Sequence, residues 1–181
     1  MQYKFLTAIF LASSVLSTYH VMANPAKQLI VSMNLVDTQG VSASIGEVTI
    51  SQGKQGLIFS TNLKSLPAGK HGFHIHENPS CDAKEDKGEI LPAKAAGDHY
   101  DPKHSKMHSH PHGTGHLGDL PALTVDEQGN SKESITAPRL TMSDVKNRSL
   151  MIHAGGDNYS DTPQPLGGGG KRIACGVIIS K

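Results

Sequence analysis

The sequence predicts an all-β fold: an eight-stranded antiparallel Greek-key barrel or sandwich with two long functional loops. Short runs rich in Val, Ile and Thr recur between Gly-, Ser- and Gln-containing turns at hairpin spacing. No window of twelve residues carries a convincing 3.6-residue apolar period. Short strands with regular turns pack as a sandwich or close as a barrel. The length of 181 residues suits one domain with a sizeable core.

Taken in order, residues 1–23 stand apart from the fold. Met1 to Lys4 is a short positive n-region, Phe5 to Val15 an apolar h-region, and Val21-Met22-Ala23 a cleavage site of small or apolar residues. We expect a cleaved signal peptide, export, and a single domain over residues 24–181. The first strands are expected at Gln28 to Val36, Gly46 to Ser51, Gly56 to Leu63 and His71 to Glu77. Ala122 to Asp126 and Ser131 to Ala137 flank Glu127-Gln128-Gly129-Asn130, a hairpin signal. Ser149 to Ala154 and Ile173 to Ser180 complete about eight strands, and Ser143 to Asn147 can form one helical turn. Two stretches resist this scheme, Asn78 to Leu120 and Gly155 to Lys171. Long structureless segments in a compact domain are usually functional.

Composition removes several function classes. Seventeen Lys and Arg against sixteen Asp and Glu give a net charge of +1, without the basic excess of a nucleic-acid binder. No run of 18 apolar residues exists, so nothing inserts in a membrane once the leader is gone. With no Trp, four Phe and four Tyr, binding by aromatic stacking is disfavoured. Export makes Cys81 and Cys175 an expected disulfide, an even pair in an oxidising compartment.

The outlier is histidine: ten of eleven lie between His71 and His153. In His71-Gly72-Phe73-His74-Ile75-His76 the strand period of two puts His74 and His76 on one face, roughly 6–7 Å apart and able to grip one metal ion. Phe73 and Ile75 face the core, with His71 expected there as a hydrogen-bonded core histidine. His99, His108, His116 and Asp119 follow in the long loop as further ligand candidates, and His153 ends an apolar run that delivers it to a site edge. Imidazoles suit copper and zinc, and a carboxylate added to imidazoles suits zinc.

These segments carry a family resemblance. HGFHIHE, AGDHYDP around His99, GHLGDLPAL, IHAGGDN, PLGGGGKR and RIACGVI, in this order from about Gln28 onward, resemble the bacterial, exported branch of copper/zinc superoxide dismutase. The resemblance implies copper bound by His74, His76, His99 and His153, and zinc bound by His99, His108, His116 and Asp119, with His99 bridging. It implies that Asp157 links a copper-ligand histidine to a zinc-ligand histidine, that Arg172 draws superoxide to copper, and that Cys81 and Cys175 form the intrasubunit disulfide. It further implies a periplasmic location and leaves a homodimer open, since members of this branch are monomers or dimers. His104, His110 and His112 exceed the pattern, and Asp98 stands where a small residue would be comfortable. The competing reading is an exported copper/zinc carrier without turnover, for which Arg172 has no use.

Overall fold

Side-chain alternation builds the sheet. The computed structural model describes residues 28–179, so the expected signal peptide lies outside the described residues. In β1 (Leu29–Asp37) Leu29, Val31, Met33 and Val36 are buried while Ile30 and Ser32 are exposed. The phase changes after Met33, where the pairing with β2 (Gly40–Gly53) slips in register. A bulge that inserts one residue moves the following side chains to the other face. β3 (Gly56–Leu63) alternates cleanly, burying Leu57, Phe59 and Leu63.

The remaining long strands are β5 (Phe73–His76), β9 (Ser134–Ala137), β10 (Arg148–His153) and β11 (Arg172–Ile178). They complete an antiparallel seven-stranded sheet in the order β5-β10-β11-β1-β2-β3-β9, curled into a barrel. A separate ladder pairs β4 (Gly69–His71) with β8 (Leu123–Val125). The core runs between these layers, with Phe59 and Phe73 meeting edge to face at 6.0 Å.

Three details depart from the expected strands. The run from His71 to Glu77 breaks at Gly72, whose N–H donates to Gly155 O and whose carbonyl accepts from His153 N–H; the end of β10 and the loop after it take the backbone groups a ladder would use. The second strand is longer than its apolar run, starting at Gly40. The loop after β5 contains a hairpin, β6 (Lys84–Asp86) with β7 (Glu89–Leu91), whose charged sequence hides any alternation. The helical turn is present as α1 (Met142–Val145).

Two connections position the site. Cys81 and Cys175 are bonded, with Cα atoms 5.7 Å apart, and pin the loop after β5 to β11. Around the bond Val36, Ala93, Ala96 and Met151 pack as a second, smaller cluster. Closing a loop of 94 residues limits the unfolded chain by about 4–5 kcal/mol in the chain-entropy model. The edge of β5 is covered by loop backbone: Tyr100 N–H donates to Ile75 O, Ile75 N–H to Gly118 O, and Gly118 N–H to Tyr100 O, all at 2.8–2.9 Å. Gly118 is needed there because a Cβ would lie 2.3 Å from the Ile75 carbonyl oxygen.

Candidate metal centre

β5 is buried on both faces. Phe73 and Ile75 enter the core, while His74 and His76 lie under the loops, as their alternation predicts. β10 runs beside β5 with Met151 opposite His74, and brings His153 to the same end. The loop backbone laid on β5 supplies His99, which forms a bridge opposite His76, and Asp119, which forms one opposite His74. His71 is the core histidine expected: its two ring nitrogens lie 2.8 Å from the carbonyl oxygens of His153 and Pro67, bracing the strand end that carries His153.

The donor atoms converge in two groups. Ligand atoms of His74, His76, His99 and His153 all lie within 4.8 Å of one another, as do those of His74, His99, His108 and Asp119. His116 is just outside the second group, yet its Nδ1 is 3.4 Å from Asp119 Oδ1. Around that one oxygen stand His99 Nδ1 at 3.0 Å and His108 Nδ1 at 3.1 Å as well. A tetrahedral zinc with bonds of 2.0–2.2 Å spaces its ligand atoms by about 3.3–3.5 Å, so this cage is of zinc size. In the first group His76 Nε2 and His153 Nε2 are 3.4 Å apart.

Outer contacts determine which nitrogen each ring offers. His76 Nδ1 donates to Gly97 O and His153 Nδ1 to Gly170 O, leaving both Nε2 atoms facing inward. Asp157 accepts from His74 Nε2 at 2.7 Å and from His108 Nε2 at 2.8 Å, one oxygen each. Consequently His74 Nδ1 and His108 Nδ1, together with His116 Nδ1, are buried without a hydrogen-bond partner. Buried polar groups are normally satisfied, and three unpaired imidazole nitrogens aimed at shared centres are what metal ligation requires. Gly167 closes over this link at φ +73°; a Cβ there would meet Asp157 Oδ1 at 2.2 Å and His108 Nε2 at 2.7 Å.

Electrostatics divide the two groups. Burial, reinforced by neighbouring His99 and Arg172, holds His76 well below the usual imidazole range. Burial and the nearby His74 do the same to His153, and they push His99 down to about 3. These rings are neutral, which is the ligating form. Burial also opposes charge on His108, but the adjoining carboxylates of Asp119 and Asp157 outweigh it and raise His108 to about 9. Although burial favours their neutral forms, hydrogen bonds from the surrounding imidazoles hold both Asp119 and Asp157 far below the carboxylate range.

Arg172 stands at the start of β11, half-buried, its guanidinium donating to Ala93 O and Gly97 O at 2.6 Å each. Gly97 O is the same carbonyl that orients His76. Burial draws the Arg172 guanidinium below its usual range, and the exposed Asp98 carboxylate opposes that shift. His104, His110 and His112 are exposed and take no part in either group.

A family model described as copper/zinc superoxide dismutase (SODC) matches residues 44–178. The chain belongs to this family. It is 53% identical over 149 residues to the superoxide dismutase [Cu-Zn] of Escherichia coli K12, covering 82% of this chain and 86% of the relative. It is 50% identical over 170 residues to that of Haemophilus parainfluenzae, covering 92% and 91%. Its fold is similar to the solved Cu/Zn superoxide dismutase of Brucella abortus, with a TM-score of 0.83 at 50% identity, covering 84% of this chain and 99% of that one. The monomeric copper, zinc superoxide dismutase of Salmonella enterica, known from its solution structure, follows at 0.76 and 54%, with the same coverage.

Within this copper/zinc superoxide dismutase fold, two groups important to the centre were not read from the sequence. One is the Gly97 carbonyl, a backbone atom without any residue-type signal. The other is Arg139, which donates from Nε to Pro111 O at 2.7 Å, from Nη1 to Gly115 O at 3.0 Å and from Nη2 to His116 O. It clamps both sides of the loop carrying His108 and His116. Its position after β9 shows nothing unusual in the sequence.

Proposed function

We propose that the chain dismutes superoxide to dioxygen and hydrogen peroxide at a copper held by His74, His76, His99 and His153, beside a zinc held by His99, His108, His116 and Asp119. The observation that carries this is the pair of overlapping donor groups, which have His74 and His99 in common, with His116 Nδ1 3.4 Å from Asp119 Oδ1 and three buried imidazole nitrogens left unpaired. When bound, copper supplies a one-electron carrier that cycles between two oxidation states, and zinc supplies positive charge without redox chemistry.

The chain's own residues do the rest. β5 and β10 hold His74, His76 and His153 with one ring nitrogen of each turned inward, while Gly97 O, Gly170 O and Asp157 fix the outer ones. His99 Nδ1 is committed on the Asp119 side, so Nε2 is the atom that takes up and releases a proton between half-reactions. Arg172 spends two of its five N–H donors on carbonyls and keeps the others for a small anion. Its permanent charge draws superoxide toward His76 and His99. Asp157 ties one ligand of each ion together, so that disorder at one site reaches the other.

We further propose that residues 1–23 are a signal peptide, that residues 24–181 form one domain, and that the protein works in the periplasm. The Cys81–Cys175 disulfide supports an oxidising compartment.

The test is metal content by elemental analysis after dialysis, read beside superoxide consumption. His99→Ala loses both ions, His153→Ala loses copper and keeps zinc, and Asp119→Ala does the reverse. A His99→Ala protein that keeps one ion at wild-type occupancy overturns the shared ligand. Equal superoxide consumption by metal-loaded and metal-free protein overturns the enzyme in favour of a carrier.

A further inference from the structure

The metal centre leaves one histidine cluster unexplained, the pair His110 and His112 on the loop between two of its ligands. Both are exposed, but they are not independent surface residues. Their rings stack with centroids 5.5 Å apart and planes inclined by 22°. Ring pairs in the buried centre range from 4.0 to 6.0 Å, so this surface pair lies within the spacing of the rings that converge there.

The surrounding chain holds the pair in place. Pro111 between them is buried, its ring restricting the backbone, and its carbonyl accepts from Arg139 Nε at 2.7 Å. Gly113 N–H donates to His110 O at 2.6 Å, closing a tight turn. On the near side, Ser109 N–H is held by Asp119 Oδ2 at 3.1 Å, and Ser109 Oγ accepts from Gly115 N–H at 2.8 Å. His110 packs on the Tyr159 ring at 4.9 Å, and the Tyr159 hydroxyl is held in turn by Ala122 N–H at 3.0 Å. The usual entropy loss of bringing two flexible side chains together is therefore already met by the fold.

The donors are available. His110 Nδ1 points toward His112, where it meets only the His112 backbone N–H at a long 3.4 Å. Among the described residues no hydrogen bond engages the His112 ring or His110 Nε2. Beyond that one long contact, no hydrogen bond among the described residues uses these nitrogens, yet the fold keeps them together.

We propose that His110 and His112 form a third, solvent-facing metal site that binds one divalent transition ion between their imidazoles, with water completing its coordination. The donor set names the ligand class: two imidazoles favour Cu²⁺ over Zn²⁺, and both over hard ions such as Mg²⁺ and Ca²⁺. His110 is two residues from His108, so an ion held there rides on the same short segment as a buried ligand.

The experiment titrates protein already carrying its copper and zinc with Cu²⁺ in a non-coordinating buffer, reading stoichiometry by calorimetry and by elemental analysis after gel filtration. One additional Cu²⁺ binds per chain. His110→Ala and His112→Ala each abolish it, while His104→Ala, an exposed histidine of the same loop outside the pair, retains it. The tightly held copper and zinc stay at wild-type content in all three. The proposal is overturned if no additional ion binds, if it survives loss of either paired histidine, or if His104→Ala removes it equally. It is also overturned if the additional ion disappears only together with the tightly held pair, because the site is then not separate.

Discussion

Asp157→Ala probes the link between the two ions, and the structure determines both the size and the direction of its effect. The side chain is wholly shielded from solvent and accepts from His74 Nε2 and His108 Nε2 at 2.7 and 2.8 Å, and from Tyr159 N–H at 2.8 Å. Removing it leaves two imidazole N–H groups unpaired, but the consequences differ between the rings. His74 belongs to β5, where pairing with β10 on one side and loop backbone on the other holds it in place. His108 belongs to a loop, and beyond Asp157 its own backbone is fixed by the Asp161 carboxylate, which does not orient the ring. The loss therefore falls on zinc. One charge-assisted hydrogen bond contributes about 1.5–3 kcal/mol, which at 1.4 kcal/mol per decade weakens zinc about 10–150-fold. Copper weakens less. Competition against a chromophoric chelator measures both constants, and Asp157→Asn, which keeps one acceptor, falls between wild type and Asp157→Ala. Zinc affinity unchanged within a factor of two, or copper weakened more than zinc, refutes the reasoning.

Three other outcomes are expected. Arg139→Ala, which removes three contacts to the loop carrying His108 and His116, releases zinc roughly tenfold faster while copper content is kept, and Arg139→Lys is intermediate; stopped-flow chelation measures this. In the metal-free protein His108 sits near 9 when folded against about 6.5 unfolded, so its stabilisation is fully present below pH 6.5 and is lost as the pH rises through 9. Calorimetry should find the metal-free melting temperature falling over that window, and a flat profile contradicts the charged His108. Arg172→Glu slows superoxide consumption with metal content kept, and the loss shrinks as salt is raised, because screening weakens the repulsion; a salt-independent defect means the arginine acts only through Ala93 and Gly97.

Local chemistry wrote much of this protein directly into the sequence. Strand alternation sorted Phe73 and Ile75 from His74 and His76, and the structure keeps that division with the core on one side and the metal centre on the other. The Gly129-Asn130 turn and the Val- and Ile-rich runs marked strands because turn and strand preferences act over a few residues. Where pairing is non-local, pattern had no hold. Gly72 breaks the strand expected from His71 to Glu77 because Gly155 and His153, more than eighty residues away, take its backbone groups. The β6–β7 hairpin is exposed and charged, so no apolar face announces it.

The proposed ligands show the same boundary. His99, His108, His116 and Asp119 lie in loops, whose residues obey no period; residue type made them candidates, the motifs of a family resemblance sorted them, and only loop closure onto β5 brings the three histidines around one Asp119 oxygen. The spacing of the family resemblance selected His108 over His110, but residue type alone could not separate the two. Tertiary structure does so, by turning one ring inward between Asp119 and Asp157 and stacking the other in solvent on His112. Residue type determined that this chain binds metal. Which imidazoles come together was decided by the disulfide, the Arg139 clamp and the backbone bonds that close the long loops, because contacts between distant residues depend on where the whole chain returns.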